Sequence, residues 1–327
     1  MSGDDRRSPL EALQRVGPLA RVGVAKARRS VRRLEFPLRA PSVPASVEPV
    51  VEESTLGARY ETDWARTFPA RVGRALLLET VLRPTVRVLA DPDRRGYDRI
   101  AGLRAPAIFA ANHHSHVDAG LLLSSLPEPF RHKVFTGAAA DYFFDKRAKA
   151  VLSALTLGAI PIERSKVTRR SADQAATLID DGWSMVIFPE GGRSPDGWGQ
   201  AFRGGAAYLS IRCHVPVVPV HIEGTGRILP KGSNRITPGR TRVTFGHPLH
   251  PTGGEDSRRF AARLEREVAA LADEVANDWW SARRRAHAGE SPSLSGPDAS
   301  AWRRAWALGD RRNRTTGTAP ERRRWPD

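Results

Sequence analysis

The chain has 327 residues, and its 52 Lys and Arg residues against 36 Asp and Glu give a formal net charge of +16 and a sequence pI near 11.1. Its single cysteine, Cys213, excludes an intrachain disulfide and a multi-cysteine metal site. No window reaches the roughly 18 to 20 apolar residues of a transmembrane helix, and the N-terminus lacks an apolar signal core. The sequence therefore predicts a cytoplasmic or peripheral protein with about one large domain.

The basic excess is densest at the two ends of the chain. Residues 1–59 hold 11 basic and 7 acidic side chains, a net +4, and residues 279–327 hold 11 and 5, a net +6. A coding bias toward arginine is one explanation for most of this excess, but a basic surface also attracts anionic phospholipids or nucleic acid. We predict a basic flexible N-terminal arm (1–58), a folded domain (59–280) and a flexible tail (281–327) with tryptophans among arginines.

The elements predicted in chain order begin with an amphipathic helical segment, Tyr60–Ala90, that bends at Pro69 and Pro84. Short apolar runs then predict five strands, namely Pro106–Ala111, Val134–Gly137, Ser184–Phe188, Val215–Ile222 and Arg242–Phe245. Helical spacing predicts helices at Leu121–Leu126, Asp141–Leu155, Val167–Asp181, Arg203–Cys213 and Ser257–Trp280. This alternation is typical of an α/β sheet with helices on its faces.

A histidine and an aspartate follow the first predicted strand. On one continuous helix, His113 and Asp118 would point about 140° apart at about 100° per residue, so they would not meet. A strand-to-helix turn folds Asp118 back under the His113 ring, where its carboxylate fixes the tautomer and leaves His113 as a general base. The alternative is a metal site built from His113, His114, His116 and Asp118, but adjacent side chains diverge, so one ion would rarely collect more than two. We expect no metal.

The turn after the predicted strand Ser184–Phe188 has the composition of an anion site. It reads Glu190-Gly191-Gly192-Arg193-Ser194, and two adjacent glycines let backbone amides turn toward an anion. Arg193, with Arg203 and Gly204 downstream, makes phosphate binding reasonable, although such a sequence is also an ordinary turn. Arg164 comes after the apolar run Gly158–Glu163, at the exit of a buried strand, and is either a phosphate clamp or one side of a surface salt bridge.

Taken together, these blocks resemble the glycerolipid acyltransferase family, typified by 1-acylglycerol-3-phosphate acyltransferases. The patterns are NHxSxxD (with Asn112, His113, Ser115 and Asp118), GxIPIxR ending at Arg164, FPEGGRS at 188–194, and the proline-bearing strand Val215–Val220. The resemblance spans roughly residues 75 to 250. It implies a glycerolphosphate-acyltransferase-like sheet preceded by the amphipathic helical segment.

The resemblance also implies roles for single residues. His113 and Asp118 would be the catalytic pair, and Arg164, Glu190, Gly191, Gly192 and Arg193 would bind the phosphate of the acceptor. Supporting roles would fall to Asn112, Ser115, Ser194, Arg203 and Gly204, and Val215–Val220 would help to form the acyl-donor side. The family tolerates many residues at the positions of His114 and His116, which we interpret as bystanders.

The implied reaction moves a fatty acyl group from acyl-CoA or acyl carrier protein to a hydroxyl of a lysophospholipid, most simply 1-acylglycerol 3-phosphate to give phosphatidic acid. No cofactor is implied beyond the thioester co-substrate. Arg193 and Gly-rich turns would suit other lysophospholipid or polar lipid acceptors equally well. The implied location is peripheral, on the inner face of the plasma membrane. Two alternatives from other classes are a non-catalytic basic membrane-binding protein and a nucleic-acid-binding protein, but the latter lacks a recognisable reader motif.

Overall fold

The computed structural model describes residues 56–104, 106–163, 169–194, 197–230, 233 and 235–296. The predicted N-terminal arm, apart from its last three residues, therefore lies outside the described residues, and so do Arg164 and the part of the tail beyond residue 296. None of the helices within these ranges is long and apolar enough to cross a bilayer.

The described residues form one seven-stranded sheet in the order β1-β7-β6-β2-β5-β3-β4. Its strands are β1 (Pro92–Arg95), β2 (Ile108–Ala111), β3 (Val134–Ala139), β4 (Ala159–Ile162), β5 (Ser184–Ile187), β6 (Val217–Glu223) and β7 (Thr241–Phe245). Strands β6, β2, β5, β3 and β4 are parallel, and β7 pairs antiparallel with β6. The predicted α/β class is confirmed, as are the five strands predicted from apolar runs.

Helices cover both faces of this sheet, as predicted. One face packs against α2 (Arg83–Ala90), α4 (Val117–Ser125) and α9 (Thr225–Ile228), and the other against α7 (Arg169–Asp180), α8 (Gly205–Cys213) and α10 (Ser257–Ala276). Before α2 comes α1 (Phe68–Leu77), whose buried Arg74 donates to the Val134 carbonyl of β3 at 2.6 Å. The remaining helices are α3 (Tyr97–Ile100), α5 (Ala140–Phe143), α6 (Arg147–Leu157) and α11 (Trp279–Ala288). Alternate residues of the central strands enter the two cores, with Phe109 on one side and Ile108 on the other.

The predicted amphipathic segment is helical, but its two prolines act differently from the prediction. Pro69 stands in the first turn of α1, where a missing N–H costs nothing, so it starts the helix instead of bending it. A π-helical turn, Leu78–Leu82, joins α1 to α2 just before Pro84. The different hydrogen-bond pattern of this turn accommodates Pro84, which has no N–H to donate. The segment is therefore one helical run with a π turn at its middle.

Two predicted helices are each split in the structure. The predicted helix Asp141–Leu155 is α5 and α6, because Phe144 leaves helical geometry and is fully buried against Tyr60 and its neighbours. The predicted helix Ser257–Trp280 ends at Ala276, and Asp278 then caps α11 by accepting from the Ser281 N–H at 2.9 Å.

The boundary predicted at residue 280 falls inside α11, so the prediction of a flexible tail from 281 is wrong for residues 281–288. These residues are helical because α11 is fastened to α10 by ion pairs. Arg285 makes two bonds of 2.7 Å to Asp273, which is buried, and Arg283 pairs with Glu267 at 3.1 Å. The strand β1 was not predicted, since Pro92–Arg95 is polar and is held at the edge by pairing with β7.

Candidate active site

His113 and Asp118 meet at the carboxyl end of β2, where the chain turns from strand into α4. The His113 Nδ1 and Asp118 Oδ2 atoms are 2.8 Å apart, although the two residues do not lie on one face of a common helix. Asp118 stands in the first turn of α4, and its Oδ2 also accepts the backbone N–H groups of His114 at 2.7 Å and Ser115 at 2.8 Å. The structure thus brings these two residues together by the strand-to-helix turn that the sequence predicted.

The environment of the pair suits proton transfer. Asp118 is fully buried, whereas the His113 side chain keeps 18% of its surface exposed. Because Nδ1 is engaged by the carboxylate, Nε2 is the nitrogen that can take a proton from a substrate. The His113 ring stacks on Phe188, with centroids 4.2 Å apart, which fixes its plane. The sequence placed Phe188 in the FPEGGRS pattern but gave it no role of its own.

Asn112 and Ser115 hold the turn through backbone groups. The Asn112 side chain is buried, donates to the Ile222 carbonyl at 2.8 Å and accepts the Ile222 N–H at 2.7 Å, which extends the pairing of β2 with β6. The Ser115 hydroxyl donates to the Leu229 carbonyl at 2.8 Å. Both side chains therefore fasten the turn to neighbouring backbone, and their supporting roles in the reaction stay a prediction.

Glu190 makes contacts that differ from its predicted part in phosphate binding. Its carboxylate is almost wholly buried and accepts the His113 N–H at 2.9 Å through Oε1 and the Gln200 N–H at 2.9 Å through Oε2. A buried carboxylate that accepts these amides would repel an anion instead of binding it. Gln200, which the sequence gave no reason to select, also donates its side-chain amide to the carbonyls of Gly192 (3.3 Å) and Arg193 (3.4 Å).

The rest of the loop lies directly beside His113. The Ser194 N–H donates to the His113 carbonyl at 2.8 Å, and the Ser194 hydroxyl accepts the Gly197 N–H at 2.8 Å. Gly191 has φ +72°, and its N–H already donates to the Phe188 carbonyl at 3.1 Å. A methyl group on Gly191 would come within 2.8 Å of the Arg203 Cζ atom, so Arg203 lies against the loop.

These residues enclose a pocket of about 210 Å³ at the carboxyl edge of β2, β3, β4 and β5. His113, Gly191, Gly192, Arg193 and Arg203 line one part of it. The remainder is mostly apolar, lined by strand β3 and by side chains that include Ala119, Phe143, Leu157 and Ile162. Gly204 does not line the pocket; it precedes α8 and faces Ser257, with which a methyl group would be in contact at 3.5 Å. The pocket thus joins a base, two arginines and an apolar surface.

The two extra histidines occupy different surroundings. His116 lines the pocket and stacks on Tyr142 with ring centroids 4.9 Å apart, and its interpretation as a bystander stays a prediction. Burial lowers the pKa of His114, with the nearby Asp118 opposing the shift. Burial also lowers the pKa of His221, on β6, to about 3. No group of three metal-ligating side chains occurs in the described part of the chain.

The strand Val215–Val220 is buried in the middle of the sheet, between β2 and β7. Its side chains fill the two cores and do not line the pocket. The expectation that it forms the acyl-donor side therefore has no support in the pocket lining. Arg164 lies outside the described residues, although Glu163 beside it lines the pocket.

The structure thus places a His–Asp pair at the end of a strand, beside a glycine loop that carries an arginine. The Acyltransferase family matches residues 93–223. The chain is 31% identical over 164 residues to the chloroplastic 1-acyl-sn-glycerol-3-phosphate acyltransferase LPAT1 of Arabidopsis thaliana, covering 47% of this chain and 42% of that protein. It is 26% identical over 184 residues to the human 1-acyl-sn-glycerol-3-phosphate acyltransferase alpha, covering 53% and 61%.

A solved structure has the same fold. The 1-acyl-sn-glycerophosphate acyltransferase PlsC of Thermotoga maritima aligns with a TM-score of 0.51 at 23% identity, covering 66% of this chain and 84% of that one. The chain is thus similar to glycerolipid acyltransferases in part of its sequence and in its fold. It spans about half the length of the first relatives that it matches.

Proposed function

We propose that this protein transfers a fatty acyl group from a thioester, acyl-CoA or acyl carrier protein, to the free hydroxyl of 1-acylglycerol 3-phosphate, giving phosphatidic acid. The observation that carries the proposal is the 2.8 Å contact of His113 with buried Asp118, in a pocket that also holds Arg193 and Arg203. The names of the relatives support the same acceptor. No cofactor takes part.

In the proposed reaction His113 Nε2 takes the proton of the acceptor hydroxyl while that oxygen attacks the thioester carbon. The carbon–oxygen bond forms, and the tetrahedral intermediate collapses by breaking the carbon–sulfur bond. The proton then passes from the imidazolium to the leaving sulfur. Asp118 stabilises the imidazolium throughout.

The negative oxygen of the intermediate needs a hydrogen-bond donor. The Gly191 N–H is already committed to the Phe188 carbonyl. A methyl group on Gly192 would meet nothing within 4 Å, so the backbone there is open to the pocket. We assign the Gly192 N–H as the candidate donor.

The acceptor phosphate is assigned to Arg193 and Arg203, which line the pocket on the loop side, and to Arg164 as a third cation. Gly191 and Gly192 let the loop backbone come close to this anion. Glu190 acts indirectly, by holding the loop to His113.

The deciding experiment supplies labelled acyl-CoA with lysophosphatidate and, separately, with monoacylglycerol, which has no phosphate. We expect label in phosphatidic acid, and a loss of at least about 10²-fold in kcat for His113→Ala. Arg193→Gln should raise the KM for lysophosphatidate about tenfold and leave the KM for monoacylglycerol unchanged. The matched control is Arg212→Gln, which removes an exposed arginine paired with Asp173. Near-normal turnover by His113→Ala, or transfer to monoacylglycerol alone, would refute the proposal.

The second part of the proposal is peripheral attachment to an anionic membrane, on the inner face of the plasma membrane. The helical run from α1 to α2 leaves five apolar side chains exposed, with Phe68 at 77% and Val88 at 76% the most exposed, followed by Leu76, Val81 and Val72. Arg94 lies near Arg83, Arg87 and Arg131. Burial lowers the pKa of Arg94 most, and these three neighbouring arginines lower it further. Apolar and basic side chains side by side suit a membrane of anionic lipid.

Vesicle flotation tests this attachment. Phe68→Glu with Leu76→Glu should abolish flotation with phosphatidylglycerol vesicles, whereas Ile236→Glu, at another exposed apolar side chain outside this helical run, should not. Flotation that is unchanged by the double substitution would remove this surface from the proposal. Salt-sensitive binding to duplex DNA without vesicle binding would favour the nucleic-acid alternative instead.

A further inference from the structure

The segment that follows α11, residues 290–296, lies against residues 197–199 beside the active-site loop. We call it the C-terminal strap. The Gly199 N–H donates to the Leu294 carbonyl at 2.8 Å, and the Leu294 side chain packs against the core cluster that contains Phe202 and Phe260. The strap lies outside residues 93–223, the range matched by the family.

Glycines on both sides make this contact close. Gly296 has φ +82°, and a methyl group there would come within 2.6 Å of the Trp198 indole ring. A methyl group on Gly199 would come within 3.1 Å of the Leu294 Cβ atom. The strap and residues 197–199 therefore fit only because two side chains are absent.

Residues 197–200 in turn form hydrogen bonds with the loop that carries Arg193. The Gly197 N–H donates to the Ser194 hydroxyl at 2.8 Å, and the Gln200 N–H donates to Glu190 at 2.9 Å. The Gln200 side chain bonds the carbonyls of Gly192 and Arg193. The position of Arg193 thus depends on residues 197–200, which lie against the strap.

We propose that Trp198 and Gly296 are positioning residues, and that the strap holds the Glu190–Ser194 loop where Arg193 meets the acceptor phosphate. This inference rests on the proposed function for its kinetic consequence. Opening a loop costs less free energy than opening a helix or strand of the core. The geometry of a loop therefore depends strongly on contacts with other segments, such as the strap. His113 depends less on the strap, because Asp118 holds its ring from α4.

The test compares two Gly→Ala substitutions that have the same backbone cost. Gly296→Ala adds a methyl group against the Trp198 ring, and the matched control Gly254→Ala adds one at φ +74° with nothing within 4 Å. We expect Gly296→Ala to raise the KM for lysophosphatidate about tenfold. Because the loop also carries Gly192, the proposed oxyanion donor, kcat should fall as well, whereas the KM for acyl-CoA and the KM for monoacylglycerol should stay unchanged. Gly254→Ala should leave every constant unchanged.

Trp198→Ala removes the other side of the contact. It should raise the same KM, and the double variant Trp198→Ala with Gly296→Ala should show less than the sum of the two effects. Equal KM values for Gly296→Ala and Gly254→Ala would overturn the inference. A lower Tm with an unchanged KM for lysophosphatidate would also overturn it, since that result indicates general destabilisation.

Hydrogen exchange separates this inference from the proposed function, because it needs no substrate. The amides of Ser194, Gly197 and Gln200 should exchange about tenfold faster in Gly296→Ala than in Gly254→Ala. If they do while the wild type transfers no acyl group, the proposed function fails and the loop-holding role stands. If the exchange rates are equal in the two variants, the strap inference fails whatever the activity.

Discussion

Replacing Asp118 with asparagine tests the mechanism at its centre, because the change keeps the shape and removes the charge. Asp118 Oδ2 accepts three N–H donors, and Oδ1 is buried without a hydrogen-bond partner among the described residues. In the variant, an amide oxygen at the Oδ2 position would keep the three bonds but would no longer neutralise an imidazolium. An NH2 group at that position would oppose donors and force the His113 proton to Nε2.

The expected magnitude follows from these two orientations. The first loses the extra strength of a charge-assisted hydrogen bond in a buried setting, about 3 kcal/mol at the transition state or about 10²-fold in kcat. The second removes the base itself, a loss of about 10⁴-fold, or about 5 kcal/mol. We therefore expect kcat to fall between about 10²-fold and about 10⁴-fold, with little change in either KM because Asp118 does not line the pocket.

The assay is thiol release from acyl-CoA with lysophosphatidate at saturation, with thermal unfolding measured on the same sample. Asp173→Asn is the matched control, since Asp173 is half exposed on α7 and pairs with Arg212 at the surface. A kcat for Asp118→Asn within tenfold of wild type, with normal unfolding, would refute the assignment of His113 as a base oriented by Asp118.

Three further predictions concern residues around this centre. Glu190→Gln places an NH2 group against a backbone N–H, so kcat/KM should fall by a factor between about 10 and about 10², equally for lysophosphatidate and monoacylglycerol. A loss confined to lysophosphatidate would contradict this prediction and would indicate that Glu190 contacts the phosphate directly. Burial holds the pKa of His221 near 3, so protons bind the unfolded chain first as pH falls below about 6.5, and stability is lost. Between pH 7 and pH 5 the free energy of unfolding should fall by about 2 kcal/mol for this reason. Urea unfolding at the two pH values should show a smaller fall in His221→Gln than in His287→Gln, the control at an exposed histidine. An equal fall in the two variants would refute the reasoning. Gly158→Ala should lower the free energy of unfolding by about 2 kcal/mol in urea, because φ is +60° and the methyl group would lie 3.0 Å from a buried carbonyl, whereas Gly57→Ala, at φ +72° in open space, should cost less; equal costs would refute it.

The sequence predicts the central strands well because their apolar runs are buried on both faces, which few other structures require. It does not predict β1, since the side chains of Pro92–Arg95 are polar and only pairing with β7 makes them a strand. It also joins helices that the fold separates at Phe144 and Asn277. Helical spacing continues through both positions, and the break depends on what Phe144 packs against and on the cap made by Asp278.

The pairing of His113 with Asp118 is predictable because it is local, only five residues apart and forced by a turn. The contact of Glu190 with His113 is not, since it spans 77 residues and depends on the order of strands in the sheet. Strands β3 and β4 come between β2 and β5 in the chain, yet β2 and β5 are neighbours in space. Their carboxyl ends therefore lie side by side, and a buried carboxylate can join the two loops.

This geometry changes the interpretation of the acidic residue in the glycine loop. Next to Arg193, a carboxylate that faced the pocket would weaken the attraction of the site for phosphate. Because both Glu190 oxygens accept backbone amides, its charge is directed away from the pocket and used to fix the loop to His113. His113 and Arg193 are thereby held as one unit, so under the proposed function a phosphate bound at Arg193 would also position the hydroxyl beside His113.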